Sequence, residues 1–226
     1  MNILAIETAT PACAIALRTS DGAELSIVVD DDRHHTEALT PGIRNLLVEA
    51  GLSPKAVDRV VVDRGPGLFT GLRVGIATAI GFALGASADL VGVTSLELLA
   101  HGARRAGVRG TLVSAVDGRR GEVFVQTFDL DDDVVPVSEP TVSKPQDVLD
   151  EWTKRGAAVT FTGDGLARYE ALFRSLAAGS LFDQRIPPAL EALSLGAQRR
   201  VDAQIVPLYL READAVANFT TRERSP

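Results

Sequence analysis

The most constraining stretch of the chain begins at Val57. Between Val57 and Val62 the apolar residues gather consecutively at Val60-Val61-Val62, the mark of a strand buried on both faces. Gly65-Pro66-Gly67-Leu68-Phe69-Thr70-Gly71-Leu72-Arg73-Val74-Gly75 then leaves the strand and opens a helix from about Phe69 to Ala86. Backbone amides at such a point can hold an anion. There is no Walker or GxGxxG spacing, however, and a tight structural turn explains the glycines equally. The helix carries no charge from Val74 to Ala88. At 100° per residue Gly71, Gly75, Thr78, Gly81 and Gly85 share an arc of about 120°. Leu72, Ile76, Ala79 and Ala83 fill the adjacent face. A helix apolar all round is either buried on every side or presented to a partner.

Other elements follow from periodicity. Asn2 to Ile6, Ala12 to Leu17 and Glu24 to Val29 read as a strand meander, closed by the acidic run Asp30-Asp31-Asp32. Leu39, Ile43, Leu46 and Leu47 give a helix from about Thr36 to Ala50. Val91 to Val93 is a short strand and Leu96 to Arg105 a helix. At Thr111 the pattern restarts. The strand Thr111–Val116 is followed by the turn Asp117–Gly121, a strand from Glu122 to Phe128 and the acidic run Asp131–Asp133. A helix near Pro145–Arg155, a strand at Val159–Thr162, Gly163-Asp164-Gly165 and a further helix complete it, and Val201–Leu210 trails off as an extended segment. The two halves share an order of elements, not a sequence. They predict an α/β fold of two mixed sheets with helices, divided as 1–106 and 107–226.

Composition narrows the chemistry. The chain has 31 Ala and 20 Gly but only 8 Phe, 2 Tyr and 1 Trp, so it packs backbones closely. Net charge is −7, with 20 Arg and 3 Lys, which disfavours an unaided grip on nucleic acid. Cys13 is the single cysteine. It excludes an internal disulfide and a cysteine-based zinc site. The N-terminus lacks a signal-peptide pattern, and the uncharged 74–88 run is too short to span a bilayer, so a cytoplasmic chain without a membrane anchor is expected.

Candidate site residues are few. Glu7 and Asp117 lie in corresponding turns, one per half. Such acids can face across a nucleotide cleft, Thr8 beside them. But the Glu7 turn has Ala9 and Pro11 where phosphate-binding glycines would be needed, and two solvated turn acids are the simpler reading. His34, His35 and His101 have no metal-binding spacing, and no GxSxG occurs. Arg119-Arg120 reads as a solvated basic pair.

Several of these residues resemble the TsaB family: Ile3-Leu4-Ala5-Ile6-Glu7-Thr8-Ala9-Thr10, the Gly65–Gly75 loop, Thr94-Ser95-Leu96-Glu97-Leu98-Leu99-Ala100, Asp117-Gly118-Arg119-Arg120-Gly121-Glu122-Val123-Phe124 and Pro207-Leu208-Tyr209-Leu210-Arg211. Glu7 and Leu68 depart from residues common in that family. The resemblance implies two ribonuclease-H-like halves of the actin, Hsp70 and sugar-kinase kind. It implies a non-catalytic subunit of the machinery that makes threonylcarbamoyladenosine beside the tRNA anticodon. Its partners would be TsaD, the catalytic paralogue, and TsaE, an ATPase. TsaD is longer and carries an HxxxH pair that this chain lacks. No metal or required cofactor is implied, although a nucleotide could sit at a subunit boundary. A homodimer is an alternative to the heterodimer, and tRNA would be met only through the complex. The helix at 69–86 is expected to dock beside the 36–50 helix, with Leu39, Ile43, Leu46, Gly71, Gly75, Thr78 and Phe82 in the contact. An ATP-using enzyme with Glu7 and Asp117 in its cleft is the competing function, and a metallopeptidase, argued against by the histidine spacing, is the third.

Overall fold

The computed structural model describes residues 1–30, 35–175 and 177–211. Asp31, Asp32, His34, the side chain of His35 and the tail at 212–226 lie outside this description. The first run of elements is β1 (Ile3–Glu7), β2 (Cys13–Arg18), β3 (Glu24–Val29), α1 (His35–Glu49), β4 (Arg59–Asp63), α2 (Phe69–Ala86), β5 (Asp89–Val93) and α3 (Ser95–Arg105). The second is β6 (Thr111–Arg119), β7 (Glu122–Asp129), β8 (Val135–Pro136), β9 (Thr141–Ser143), α4 (Pro145–Arg155), β10 (Val159–Thr162), α5 (Asp164–Arg168), α6 (Glu170–Phe173), β11 (Gly179–Phe182) and α7 (Ala189–Gln198).

The first sheet has the order β3-β2-β1-β4-β5, antiparallel from β3 to β1 and parallel from β1 to β5. The second has the order β11-β10-β6-β7, with β8 and β9 both on the far side of β7. There β6 pairs β7 antiparallel and β10 parallel, and β10 pairs β11 parallel. So β6 corresponds to β1, β7 to β2, β10 to β4 and β11 to β5. The chain is α/β with two mixed sheets in the same strand order, as the repeated order of elements predicts, and the halves are ribonuclease-H-like, as the family resemblance implies.

Both faces of the first sheet are covered, which explains its strand composition. Leu4 and Ile6 of β1 pack under α1 and α2 with Ile15, Leu17, Val60 and Val62. Ile3 and Ala5 point the other way, onto Ala189, Ala192 and Leu193 of α7. That second face is lined by Ala14 and Ala16, so α7 comes close. A Cβ on Gly196 would overlap Val61. Here the alanine and glycine content is used directly, as backbone-to-backbone packing.

The helices do not respect the expected division at 106/107. Leu96, Leu99, Ala100 and Ala103 of α3 pack on Leu112, Val116, Phe124 and Phe128 of the second sheet. In return α7, from the 107–226 span, covers the first sheet. The segment after it caps the β5 edge. Asp202 N–H donates to the Leu90 carbonyl, and the Asp202 carboxylate accepts from Gly92 N–H. The strands follow the division and the covering helices are exchanged across it, because each sheet needs a second layer that its own helices do not supply.

α2 is long and apolar enough to cross a membrane by length and composition alone, contrary to the expectation from its uncharged run. It lies along the sheet instead. Gly71, Leu72, Gly75, Ile76, Ala79 and Ala83 are buried on its inner face.

Candidate functional site

Glu7 is the last residue of β1 and Asp63 the last of β4. These strands are parallel neighbours, paired at Ile6 and Val62 one residue earlier. Their C-terminal ends therefore bring two carboxyl groups together. Both residues are fully buried, which corrects the reading of Glu7 as a solvated turn acid. Glu7 Oε1 accepts from Ala9 N–H at 2.6 Å. Asp63 Oδ1 accepts from Gly65 N–H at 2.7 Å and lies 3.1 Å from the Ser95 hydroxyl. Glu7 Oε2 and Asp63 Oδ2 are buried without a hydrogen-bond partner. Burial, followed by the Asp63 charge, raises the Glu7 carboxyl well above its usual range. Burial pushes Asp63 up to about 7, against the lowering effect of the Gly65 and Ser95 hydrogen bonds. Two like charges in one dry place cannot both ionise without cost, so this pair holds a proton.

The turn after β1 is already occupied. Leu68 N–H donates to the Ala9 carbonyl at 2.7 Å. A Cβ at Gly67 would overlap that same carbonyl. The Thr8 hydroxyl donates to the Gly71 carbonyl at 2.9 Å. The glycine loop thus folds onto the Glu7 turn and uses the groups that a phosphate would need. Its glycines serve close approach within the chain.

Asp117 lies elsewhere than the sequence suggested. β6 continues to Arg119, with an irregular register between Asp117 and Arg119, so Asp117 is on a strand and only 7% exposed. Its carboxylate is engaged by arginines: Arg119 Nη1 at 3.2 Å and Arg168 Nη1 at 3.4 Å. The second-half acid whose charge bears on Glu7 is Asp164. Its Oδ1 accepts from Asp117 N–H at 2.9 Å, and burial pushes its carboxyl up to about 6. Glu7 and Thr8 are thus buried against the glycine loop, and the Asp117 carboxylate is paired with Arg119 and Arg168, with Asp164 between the acids of the two halves. Sequence reasoning does not single out Asp63 or Asp164, although each ends or follows a strand within two residues of a glycine, which is the signal that could have found them. Among the described residues no three His, Cys, Asp or Glu side chains are placed to hold a metal ion. Cys13 is buried, and burial pushes its thiol up to about 12.

The second candidate is the outer surface of α1 and α2. A groove of about 380 Å³ runs between them, lined by Ile43, Leu47, Val48, Thr78, Gly81 and Phe82 among others. Val48, in the groove wall, is 74% exposed, and Leu84, elsewhere on the outer surface of α2, is 77% exposed. Gly81 and Gly85 have open space where a Cβ would stand. Three expected contact residues are corrected here: Leu39, Ile43 and Leu46 are buried in the chain's own core, although Ile43 also forms part of the groove wall. Gly71 and Gly75 are corrected too, since they face inward and a Gly75 Cβ would overlap the Thr8 hydroxyl. Thr78 and Phe82 remain half-buried on the groove.

Comparison with known proteins joins these observations. The TsaD family, described as tRNA N6-adenosine threonylcarbamoyltransferase, matches residues 29–213. The chain is 32% identical to the tRNA threonylcarbamoyladenosine biosynthesis protein TsaB of Escherichia coli strain K12 over 223 residues, spanning 93% of this chain and 95% of that one. It is 26% identical to the Bacillus subtilis strain 168 protein of the same name over 234 residues, 99% of this chain and 100% of that one. A Pseudomonas aeruginosa crystal structure, described as having similarity to peptidase YEAZ, superposes with a TM-score of 0.79 at 30% identity, covering 93% of this chain and 99% of that one. The chain belongs to the TsaB family of tRNA threonylcarbamoyladenosine biosynthesis proteins, within the wider group that the TsaD family describes.

Proposed function

We propose that the chain is a non-catalytic partner subunit in tRNA threonylcarbamoyladenosine biosynthesis. It supports a TsaD-type transferase by docking the α1–α2 surface against it, with TsaE as a further partner. The observation that carries this reading is the bond from Leu68 N–H to the Ala9 carbonyl. The chain's own loop fills the turn in which an ATP-using enzyme of this fold would seat phosphate. The Asp117 carboxylate, already paired with two guanidinium groups, favours the same reading. No required cofactor is proposed. A nucleotide used by the assembly would sit at the subunit boundary. A peptidase role has no support from Cys13, whose thiol is buried and held protonated.

The docking surface is proposed on exposure and shape. Val48 and Leu84 are large apolar side chains open to solvent. Patches of this kind mark protein contacts. In the absence of the transferase the same face would pair with a second copy of the chain, and tRNA would be engaged only through the complex. The test is sedimentation of the chain with its transferase partner. Leu84→Glu should abolish association while circular dichroism is unchanged. Normal association by that variant would place the contact elsewhere. ATP titration of the isolated chain should show no saturable binding, and tight binding would favour the enzyme reading.

A further inference from the structure

We infer that a hollow at the β5 edge of the first sheet is a binding site for a small organic acid. The hollow measures about 400 Å³ and is lined by Arg64, Gly92, Arg199, Arg200, Asp202 and Ile205 among others. Small-molecule sites of about 300 to 1,000 Å³ are usual. It shares no lining residue with the α1–α2 groove.

The arginines at this edge are of two kinds. Arg59 donates to the Gly196 and Arg199 carbonyls at 2.7 and 3.2 Å and pairs with Asp89 at 2.9 Å. Arg199 donates to the Gly92 carbonyl at 3.0 Å and pairs with Glu97. These two hold the chain together. Arg64 and Arg200 differ, since among the described residues neither guanidinium has a hydrogen bond or an ion pair. Arg200 is exposed, but Arg64 is half-buried. A guanidinium has five N–H donors. Removing them from water without an acceptor is costly. The described chain supplies no acceptor for Arg64, and a ligand in the hollow would.

The walls are fixed in advance. Arg64 N–H donates to the Val93 carbonyl at 2.9 Å, and the Arg64 carbonyl accepts from Leu208 N–H at 2.7 Å. Asp202 is tied to Leu90 and Gly92 of β5. Gly92 keeps the space open, because a Cβ there would stand 3.1 Å from both Arg64 Cδ and Ile205 Cδ1. Pinned walls lower the ordering cost of binding.

The neighbouring acids set the class of ligand. Asp202 is in the wall, Glu97 is paired with Arg199, and Asp63 feels the Arg64 charge. Burial pushes Asp63 up to about 7, so below that pH it is protonated. Arg64, Arg199 and Arg200 then exceed Asp202 and Glu97 by one charge. One carboxylate matches that excess, and it matches the guanidinium fork. A polyanion such as ATP would meet Asp202 and Glu97 as like charges. Ile205 and Val206 offer apolar surface to a short carbon chain. Among the described residues no aromatic side chain lines the hollow to stack a base.

The test is a titration of the full chain at constant ionic strength and a pH below about 7. It is followed by NMR of the backbone amide and arginine Nε–H signals. Butyrate should shift the Gly92 and Arg64 signals and saturate in the millimolar range. Butyramide, its neutral isostere, should not. Arg64→Gln keeps the side chain as far as the Cδ that packs over Gly92, so the fold should survive. It should weaken butyrate binding about tenfold, roughly the worth of one charge-assisted hydrogen bond. Arg64→Lys should recover part of the loss. Arg200→Gln, at an exposed position, should weaken binding in the same direction. Equal shifts with butyrate and butyramide, or unchanged butyrate binding in both glutamine variants, would overturn the inference. So would tighter binding of inorganic phosphate or ATP at these residues. The partner-subunit reading is tested separately, by association with the transferase, and stands or falls independently of this site.

Discussion

The Thr8 hydroxyl donates to the carbonyl of Gly71 at 2.9 Å, across 63 residues of sequence. This bond ties the end of the first strand to the first turn of α2. It makes the glycine side of that helix an internal seam near its start and a free surface near its end.

The first prediction separates the two. Gly75→Ala places a Cβ on the Thr8 hydroxyl. Overpacking of this kind costs about 1–3 kcal/mol, or a few degrees of melting temperature for a chain of this size. Thr8→Ala should relieve part of that loss in the double variant. Gly81→Ala meets open space and should stabilise by up to about 1 kcal/mol, the helix-propensity difference. Equal melting temperatures for Gly75→Ala and Gly81→Ala would contradict the assignment of the seam.

A second prediction concerns pH. Asp63 titrates at about 7 in the folded chain, against roughly 3.9 unfolded. Between those values the folded state binds more protons than the unfolded one. Stability is therefore greatest below about pH 4 for this group and is lost as pH rises through about 7. Glu7 acts in the same direction, as does Asp164 at about 6. Asp63→Asn should flatten the fall in melting temperature between pH 5 and pH 7.5. Parallel curves for the variant and the unaltered chain would show that the pair does not hold a proton.

Much of this was legible before the structure. The bounds of α2, α4 and β10 agree with the sequence reading; for α4 the reason is punctuation, since Pro145 opens it and Gly156, left-handed, closes it. The setting of Glu7 was not legible. A single acid after an apolar run looks the same whether it meets water or Asp63, and only strand register makes the two neighbours. Helical spacing put Gly71, Gly75, Gly81 and Gly85 on one arc but gave no means of telling which end met the sheet. Thr8 decides that. Nor could local pattern reveal that α7 crosses back to the first sheet, since its Ala189, Ala192 and Gly196 fit any closely packed neighbour.

A third prediction follows from that crossing. Gly196→Ala pushes a methyl into Val61, which lies in the middle of β4. Destabilisation of about 1–3 kcal/mol is expected. Val61→Ala should restore part of it. Chemical denaturation of the two single variants and the double gives the coupling. Additive effects would mean that α7 does not bear on β4.

The central claim, a docking subunit and not a catalyst, meets its most direct test in reconstituted threonylcarbamoylation of tRNA with the transferase and its ATPase partner. Glu7→Gln and Asp117→Asn should support the modification at close to the normal rate, since neither acid acts on substrate. Leu84→Glu should reduce it to the background seen without this chain. Loss of activity in Glu7→Gln, in a complex that still assembles, would contradict the account and return the site to the cleft.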